Sequence, residues 1–275
     1  MTSATSLPDV RIQADAEQVA DAAAEEIARA LSAAVEARGR ADWVTTGGSA
    51  AAPIYRRLAA RPLRDAVDWS KVHVWWGDDR FVPYDHPLSN VLPFEQILLA
   101  STNDEGAPTD AAATGPGVRI PAENIHRIAT TKAIAEARGA AWAAHEYAEE
   151  LAAAGPETRT ADGTPVMDLL VVGVGPDGHI LSVFPGSAVW DAAELAAAVP
   201  APTHIEPHVE RVTMHPALAD AAREVLVVCA GAPKAGAFGR AWVDGDPRDL
   251  PARVTRRGGA VWVIDAAAAA DLPMG

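Results

Sequence analysis

The stretch from Met167 to Ser187, MDLLVVGVGPDGHILSVFPGS, joins an apolar run to a glycine-rich turn that carries Asp177 and His179. After an opening Asp, residues 168–174 are β-branched, Leu or Gly, a pattern typical of a central parallel strand buried on both faces. In α/β proteins, ligands bind at the carboxyl ends of such strands. The turn therefore predicts a binding or catalytic site, in which an imidazole can change its charge near neutral pH.

The rest of the chain alternates strand-like runs with Ala-rich helical segments. This alternation predicts an α/β, Rossmann-like fold with an open, mostly parallel sheet and helices on both faces. The expected strands are residues 10–13, 42–46, 72–76, 168–174, 224–230 and 260–265, and the expected helices are residues 16–38, 50–60 and 132–154. Residues 77–90 are expected to form a polar loop, and residues 103–117 a surface loop. We expect residues 1–275 to form a single domain.

Composition narrows the classes of function. The 275 residues carry 23 Lys and Arg against 37 Asp and Glu, a formal net charge of −14, which argues against nucleic acid or an anionic membrane as partner. Any anionic ligand must then be held by a local basic pocket. A single cysteine, Cys229 in EVLVVCAG, excludes an internal disulfide and is expected to be a buried apolar residue. Without a signal-like amino terminus or a run of 18 apolar residues, the chain is expected to be cytoplasmic.

A second polar cluster follows the predicted strand 42–46. Gly47 and Gly48 expose backbone donors, and Ser49 can cap the following helix, whose dipole favours a phosphate there. A simple helix cap after a glycine turn is the alternative. The motif is not a Walker loop, because no Gly-Lys-Ser/Thr follows, nor a nucleophile elbow, because Ala51 replaces the second Gly.

The third cluster, WWGDDRFVPYDHPLSN, contains Asp78, Asp79 and Arg80. The guanidinium of Arg80 can present a planar fork to a phosphate, and the two carboxylates can orient it or bind sugar hydroxyls. A solvated charged turn is the alternative. In a fourth cluster, Arg211 is expected to precede a helix, and Lys234 to open one, a position that favours a cation only when an anion shares it.

Three histidines that precede Lys234 in the sequence could suggest a metal site. His204, His208 and His215 are separated by Pro207 and Pro216, which break any helical register that would align the imidazoles. We therefore expect no metal site.

In order, the motifs GGS (47–49), WGDDRFVP..H..SN (76–90), GVGPDGHILSVFPGS (173–187), RVT (211–213) and GAPK (231–234) resemble the 6-phosphogluconolactonase family over nearly the whole chain. The sequence departs from the family at Ala50-Ala51-Ala52-Pro53, where Thr-Pro is common after GGS, at Asp79, where Glu is usual, and at Ile180-Leu181. The Asp79 change shortens a candidate orienting arm.

The resemblance implies hydrolysis of 6-phospho-D-glucono-1,5-lactone to 6-phosphogluconate in the oxidative pentose phosphate pathway, without a cofactor. The chemistry agrees, because a lactone is an activated ester that a water deprotonated by His179 can open. Asp177 is expected to orient His179 or a sugar hydroxyl, and amides of the turn 173–178 to stabilise the oxyanion. Arg80 and Lys234, with the turn at Gly48 and Ser49 and with Arg211 as a further candidate, are expected to hold the phosphate.

Two other functions stay open. Glucosamine-6-phosphate deaminases and isomerases share the fold and a similar DGH turn, which in them continues with Phe-Asn-Glu-Pro, whereas residues 182–185 here are Ser-Val-Phe-Pro. A non-catalytic sugar-phosphate-binding regulator would carry a DNA-binding segment, and no basic helix-turn-helix is seen. We expect a small-molecule sugar-phosphate lactone as partner and a monomer or weak dimer.

Overall fold

The computed structural model describes residues 7–99 and 117–273. The predicted surface loop at 103–117 falls, except for Gly117, outside these residues. None of the helices in the two described ranges is long and apolar enough to cross a membrane.

A seven-stranded, all-parallel sheet forms the centre of the fold, in the order β1-β10-β9-β6-β2-β3-β5. The strands are β1 (Asp9–Gln13), β2 (Ala41–Thr45), β3 (Val72–Trp76), β4 (Asp78–Arg80), β5 (Ile125–His126), β6 (Leu169–Val172), β7 (Ala196–Val199), β8 (Arg211–Met214), β9 (Glu224–Cys229) and β10 (Ala260–Asp265). The strand before the DGH turn, β6, occupies the middle of the sheet, and all four of its residues are buried. This confirms the expectation of a central parallel strand.

The α-helices are α1 (Ala16–Arg38), α2 (Ala51–Leu58), α3 (Leu63–Ala66), α4 (Val91–Pro93), α5 (Thr130–Ala135), α6 (Ala140–Ala154), α7 (Ala217–Ala221) and α8 (Ala235–Trp242). A π-helical turn spans Phe94–Leu98, and short 3₁₀ turns span Trp69–Lys71, Ala122–Asn124, Ala188–Asp191, Ala232–Lys234 and Pro251–Thr255. The first helix begins at an Asp15 cap, whose carboxylate accepts from the Gln18 amide, and ends at Gly39 with φ of 72°. Both ends match the prediction.

Helices cover both faces of the sheet, as predicted. Trp75 and Trp76 are successive residues of β3 and therefore point to opposite faces. Trp75 packs against Tyr147 of α6, with ring centroids 6.2 Å apart. Trp76 packs against Phe94 at 5.0 Å, and Phe94 in turn contacts Tyr55 of α2 at 5.6 Å. The fold is α/β and Rossmann-like.

The predicted helix over 132–154 is wrong as a single element. It is divided into α5 and α6 by a turn in which Ala137 has φ of 54° and the Arg138 amide donates to the Ala133 carbonyl at 2.7 Å. Gly139, with extended backbone angles, then precedes α6. The glycine was the sequence signal for the break, but the helical spacing of the Ala residues on either side conceals it.

A second, antiparallel sheet of order β4-β8-β7 lies beyond the end of β3. It corrects two expectations, since the polar loop 77–90 contains β4 and Arg211 opens a strand rather than preceding a helix. Gly77 joins the two sheets and lies close to Leu181, since a Cβ there would lie 2.5 Å from Leu181 Cδ2. Strands of three or four residues carry too little alternation to be recognised from sequence.

Candidate active site

A cleft of about 610 Å³ opens at the carboxyl edge of the parallel sheet, where the turns after β2, β6 and β9 meet β4 and β8. Eight of the nine predicted site residues line it: Gly47, Gly48, Ser49, Asp78, Arg80, His179, Arg211 and Lys234. The ninth, Asp177, is hydrogen-bonded to His179. The fold therefore brings together four sequence-distant clusters at the edge where open α/β sheets bind ligands.

The turn after β6 holds His179 in a fixed position. The Gly175 amide donates to the His179 carbonyl at 2.8 Å, and the Gly178 amide donates to the Gly175 carbonyl at 2.9 Å. Gly178 has φ of 92°, and a Cβ at Gly175 would lie 2.0 Å from His179 Nδ1. Glycine is thus required at 178 for backbone conformation and at 175 for space.

Asp177 fixes the imidazole of His179. Nδ1 of His179 lies 2.6 Å from Asp177 Oδ1, which also accepts from the His179 amide at 3.2 Å. Burial by itself raises the pKa of Asp177, but hydrogen bonds and positive charge from His179, with a further bond from His204, hold this pKa well below its ordinary value. Because an ionised carboxylate only accepts, Nδ1 carries a proton and Nε2 keeps a lone pair in the neutral ring.

The expectation that amides of the turn 173–178 stabilise an oxyanion is wrong for at least three of them. The Val174 amide donates to Cys229 Sγ at 3.0 Å, and the Gly175 and Gly178 amides are engaged within the turn. These bonds shape the turn, so the donors are not available to substrate. Burial raises the pKa of Cys229 to about 11, which agrees with the predicted role as a buried, unreactive side chain.

The glycine turn after β2, by contrast, has backbone amides that are not engaged within the described part of the protein. Within the described residues no hydrogen bond uses the amides of Gly48, Ser49 or Ala50, which precede α2 at the cleft wall. The expectation that Ser49 caps α2 is wrong, because Ser49 is exposed and the capping position is Ala50, without a side-chain cap. The amide of Asn90 packs against this turn, because a Cβ on Gly47 would lie 1.8 Å from Asn90 Oδ1.

Asp78 and Asp79 have different roles, and neither carboxylate contacts the Arg80 guanidinium. Asp78 lines the cleft and accepts from Ser182 Oγ at 2.5 Å. Asp79 is fully buried, and its carboxylate accepts from Ser89 Oγ at 2.9 Å and from the amides of Arg80 and Asn90 at 2.8 and 2.7 Å. The shorter Asp side chain therefore organises the segment from β4 to α4 from within.

Arg80 and Arg211 face each other across the antiparallel pair β4–β8. Each donates to one carbonyl, Arg80 to Leu88 at 2.7 Å and Arg211 to Pro207 at 3.2 Å, while the Nε of both is buried without a partner. Burial and the nearby charge of Arg80 lower the pKa of Arg211, against an opposing effect of Asp78. Like charges at directly opposed strand positions are destabilising unless an anion is shared between them.

Lys234 adds a third cation to the cleft. It lies at the opening of α8, as predicted, and also ends a 3₁₀ turn that was not predicted. The turn is held by Asp265, whose two carboxylate oxygens accept from the Gly231 amide at 2.9 and 3.0 Å. No carboxylate of the described residues forms an ion pair with Lys234, Arg80 or Arg211. In a chain with a net charge of −14, three cations without an ion-pair partner at one cleft favour an anion beside them, although carboxylates such as Asp78 and Glu206 also line the cleft.

Sequence reasoning missed four residues of the site. Phe184 contacts the His179 ring at a centroid distance of 4.7 Å and lies beneath the Arg211 guanidinium at 5.4 Å. Asn90 and Ser182 hold Asp78, and His204 donates to Asp177. The first three stood within the quoted motifs, but nothing in the sequence around His204 connects it with the DGH turn.

The three histidines considered for a metal have separate partners. His204 contacts Asp177, His208 donates to the Pro202 carbonyl, and His215 accepts from the Ala217 amide. Across residues 7–99 and 117–273, no cluster of three or more His, Cys, Asp or Glu is arranged to hold a metal ion.

Comparison with known proteins decides the family. The sequence model of the family described as glucosamine-6-phosphate isomerases/6-phosphogluconolactonase matches residues 14–263. The chain belongs to this family. Because the family description names both isomerases and a lactonase, individual relatives are needed to distinguish these two activities.

The 6-phosphogluconolactonase of Streptomyces coelicolor is 34% identical over 97% of this chain and 95% of its own length. That of Mycobacterium tuberculosis is 32% identical over 96% of this chain and 98% of its own. Among solved structures, the 6-phosphogluconolactonase from Leishmania guyanensis superposes with a TM-score of 0.76 at 26% identity, covering 95% of this chain and 97% of that one.

Proposed function

We propose that this protein is a 6-phosphogluconolactonase, which hydrolyses 6-phospho-D-glucono-1,5-lactone to 6-phosphogluconate in the oxidative pentose phosphate pathway. The relatives of that name over nearly the full length support the activity. The observation that carries the residue assignment is the His179–Asp177 pair in a cleft that also contains three unpaired cations. Such a cleft combines a base with a subsite for a phosphate.

The base is Nε2 of His179. It takes a proton from water as the water oxygen attacks the lactone carbonyl carbon, and the imidazolium is stabilised by Asp177. When the tetrahedral intermediate collapses, the bond from the carbonyl carbon to the ring oxygen breaks, and the ring oxygen receives the proton from Nε2. The products are a carboxylic acid and a hydroxyl on the same chain, so neither an acyl-enzyme nor a cofactor is required.

The phosphate is held by Arg80, Arg211 and Lys234, with the amides of Gly48 to Ala50 as further donors. The two unpartnered Nε groups of the opposed arginines can each donate to a phosphate oxygen. Binding an anion there also relieves the repulsion between the guanidinium groups. Asp78, held by Ser182, is placed to accept from a sugar hydroxyl.

The isomerase or deaminase alternative lacks a group that its chemistry needs. Moving a proton between carbons calls for a carboxylate after the DGH turn, whereas residues 182–185 are Ser-Val-Phe-Pro. Ser182 and Val183 are fully buried, and the Ser182 hydroxyl is engaged by Asp78. We further propose a monomer or weak dimer that acts on a small sugar-phosphate lactone without nucleic acid or membrane.

A pH-stat assay with freshly generated 6-phosphogluconolactone tests the proposal. We expect proton release well above the spontaneous rate, unchanged by EDTA. With glucosamine 6-phosphate we expect no ammonia, and with hexose 6-phosphates no solvent deuterium at C2. Deuterium exchange at C2 together with no acceleration of lactone opening would replace the lactonase by an isomerase, and loss of hydrolysis in EDTA would contradict the metal-free base.

A further inference from the structure

His204 lies in the irregular segment 200–210, between β7 and β8. It contacts the Asp177 carboxylate at the oxygen that His179 does not use. Its Nε2 donates to Asp177 Oδ2 at 3.1 Å, while Asp177 Oδ1 is engaged by His179 at 2.6 Å. The His204 ring also packs edge-on against Phe184 at a centroid distance of 5.5 Å. A single carboxylate thus lies between two imidazoles, of which His179 is 15% exposed and His204 is 54% exposed.

The segment that carries His204 is fixed by contacts that do not involve it. Ile205 packs against a small apolar cluster formed by Val183, Phe184, Val189 and Val199. Within the same segment His208 Nδ1 donates to the Pro202 carbonyl at 2.7 Å, and Arg211 donates to the Pro207 carbonyl. The position of His204 is therefore set by packing, and its bond to Asp177 is not needed to hold the segment in place.

We propose that His204 is a positioning residue, which fixes the Asp177 carboxylate toward His179 and, when it carries a charge, competes with His179 for that carboxylate. This inference rests on the proposed function, in which His179 is the base. Nothing in the motifs that identify the family includes residue 204.

His204 acts on Asp177 and His179 by two physical effects, one as a hydrogen-bond donor and one as a cation. As a donor, neutral or charged, His204 restrains rotation of the Asp177 carboxylate, since both oxygens are then bonded. As a cation, it places a second positive charge on the same carboxylate and disfavours protonation of His179, which keeps the base able to accept a proton from water. The first effect acts through Asp177, because no hydrogen bond joins His204 to His179 in the described structure, whereas the second also includes direct repulsion between the two imidazoles.

Other charged groups also lie near His204, Asp177 and His179 and contribute to the electrostatic potential there. Arg211 of β8 lies over the Phe184 ring at 5.4 Å, and Arg240 of α8 donates to the Asp177 main-chain carbonyl at 3.3 Å. Glu206, on the same segment as His204, lines the cleft. These groups are unchanged in variants of residue 204, so a difference between the variants and the parent protein reports on His204 itself.

The test compares His204→Ala and His204→Gln with His208→Ala, which removes a bond of the same segment without touching Asp177. The His179 imidazole is titrated by NMR in the protein without substrate, and the pH dependence of kcat is measured with the lactone. In both His204 variants we expect the His179 titration midpoint and the acidic limb of the profile to move up by about half a pH unit, because the competing charge is lost. We expect kcat at the optimum to fall about five-fold in the Ala variant and to be largely restored by Gln, which can donate to Asp177.

The outcomes separate this inference from the function on which it rests. An unchanged His179 midpoint in both His204 variants, or the same shift in His208→Ala, would overturn it. A purely structural role would lower kcat in the His204 and His208 variants alike without moving the midpoint. If the parent protein shows no lactone hydrolysis while the midpoint still moves in the His204 variants, the coupling between His204 and His179 stands and the proposed function fails.

Discussion

The two shortest of the four histidine–carboxylate pairs among the described residues have almost equal lengths, and of these two only the one that contains His179 lies at the cleft. His179 Nδ1 lies 2.6 Å from Asp177, and His126 Nδ1 lies 2.7 Å from Glu150. The His126 ring is stacked on Trp75 at a centroid distance of 3.8 Å, and its Nε2 is bonded to His73 at 3.0 Å. His126 therefore has both nitrogens engaged within the protein, whereas Nε2 of His179 is left for a substrate. The pair alone does not define a base; the unengaged nitrogen does.

The same contrast holds for charges. At the amino ends of β2 and β6, buried Asp42 is paired with Arg40 at 2.6 Å, and buried Asp168 is paired with Arg38 at 2.8 Å. The three cations of the cleft have no carboxylate partner among the described residues. Removing one partner of a buried ion pair leaves an unpaired buried charge and destabilises the fold, whereas cations without a carboxylate partner remain available to a bound anion.

The largest expected effect distinguishes the two histidines. His179→Ala should lower kcat by about 100-fold or more with little change in KM, since it removes the base but no phosphate contact. His126→Ala, measured per folded molecule, should keep kcat within about three-fold and instead lower the free energy of unfolding by roughly 1 to 3 kcal/mol, because Glu150 and His73 lose a partner. Steady-state kinetics and urea unfolding check both, and a His179 variant with near-parental kcat would end the assignment.

The next effect distinguishes the cleft cations that have no ion-pair partner from a cation that is paired with a buried carboxylate. Arg80→Ala or Lys234→Ala should raise KM for the phosphorylated lactone, with a loss of roughly 2 to 4 kcal/mol in kcat/KM, and leave hydrolysis of unphosphorylated gluconolactone nearly unchanged. Neither should destabilise the fold. Arg40→Ala should do the reverse, keeping kcat/KM but losing about 1 to 3 kcal/mol of stability through unpaired Asp42. Equal losses on both lactones would refute phosphate recognition by Arg80 and Lys234.

The sequence was sufficient for the parts of the molecule with long, regular patterns. Strands β3 and β10 and helix α1 match their predicted bounds, because buried runs and a capped, periodic helix carry strong local signals. The cleft residues were predictable for a related reason. The DGH, GGS and GDDR turns each follow a recognisable strand, so that topology alone places them at one edge.

What the sequence could not predict depends on contacts between distant segments. The opposition of Arg80 and Arg211 requires the antiparallel sheet, whose strands are too short to show alternation. Whether the turn amides at Val174 and Gly175 are available depends on Cys229 and on the His179 carbonyl. His204 lies 25 residues beyond His179, in a segment without regular structure, where no local pattern indicates a contact with Asp177.

The smallest expected effect concerns the dependence of stability on pH. Asp79 near the cleft and His73 beside His126 contribute to it with opposite signs. Burial raises the pKa of Asp79 beneath the cleft to about 7, although hydrogen bonds from Asn90, Ser89 and Arg80 favour its charged form. Burial, assisted by the charge of Arg40, lowers the pKa of His73 to about 4.

The signs follow from which state holds the proton more tightly. Asp79, with a raised pKa, contributes stability that is fully present below its ordinary pKa of 3.8 and is lost as the pH rises toward about 7. His73, with a lowered pKa, contributes stability that is present above its ordinary pKa of 6.5 and is lost as the pH falls toward about 4. Between these limits the two contributions partly cancel, so the parent protein should show a shallow dependence of unfolding free energy on pH.

Removing one titrating group at a time should expose the other. In Asp79→Asn the unfolding free energy should rise more steeply with pH between about 4 and 7 than in the parent, because the opposing carboxyl is gone. In His73→Gln it should rise less steeply or fall over the same interval. Urea unfolding at several pH values measures the slopes, and the double variant should return close to the parental slope, since the two sites have no shared hydrogen-bond partner. Slopes that change in the same direction in both single variants would show that burial does not act oppositely on these two groups.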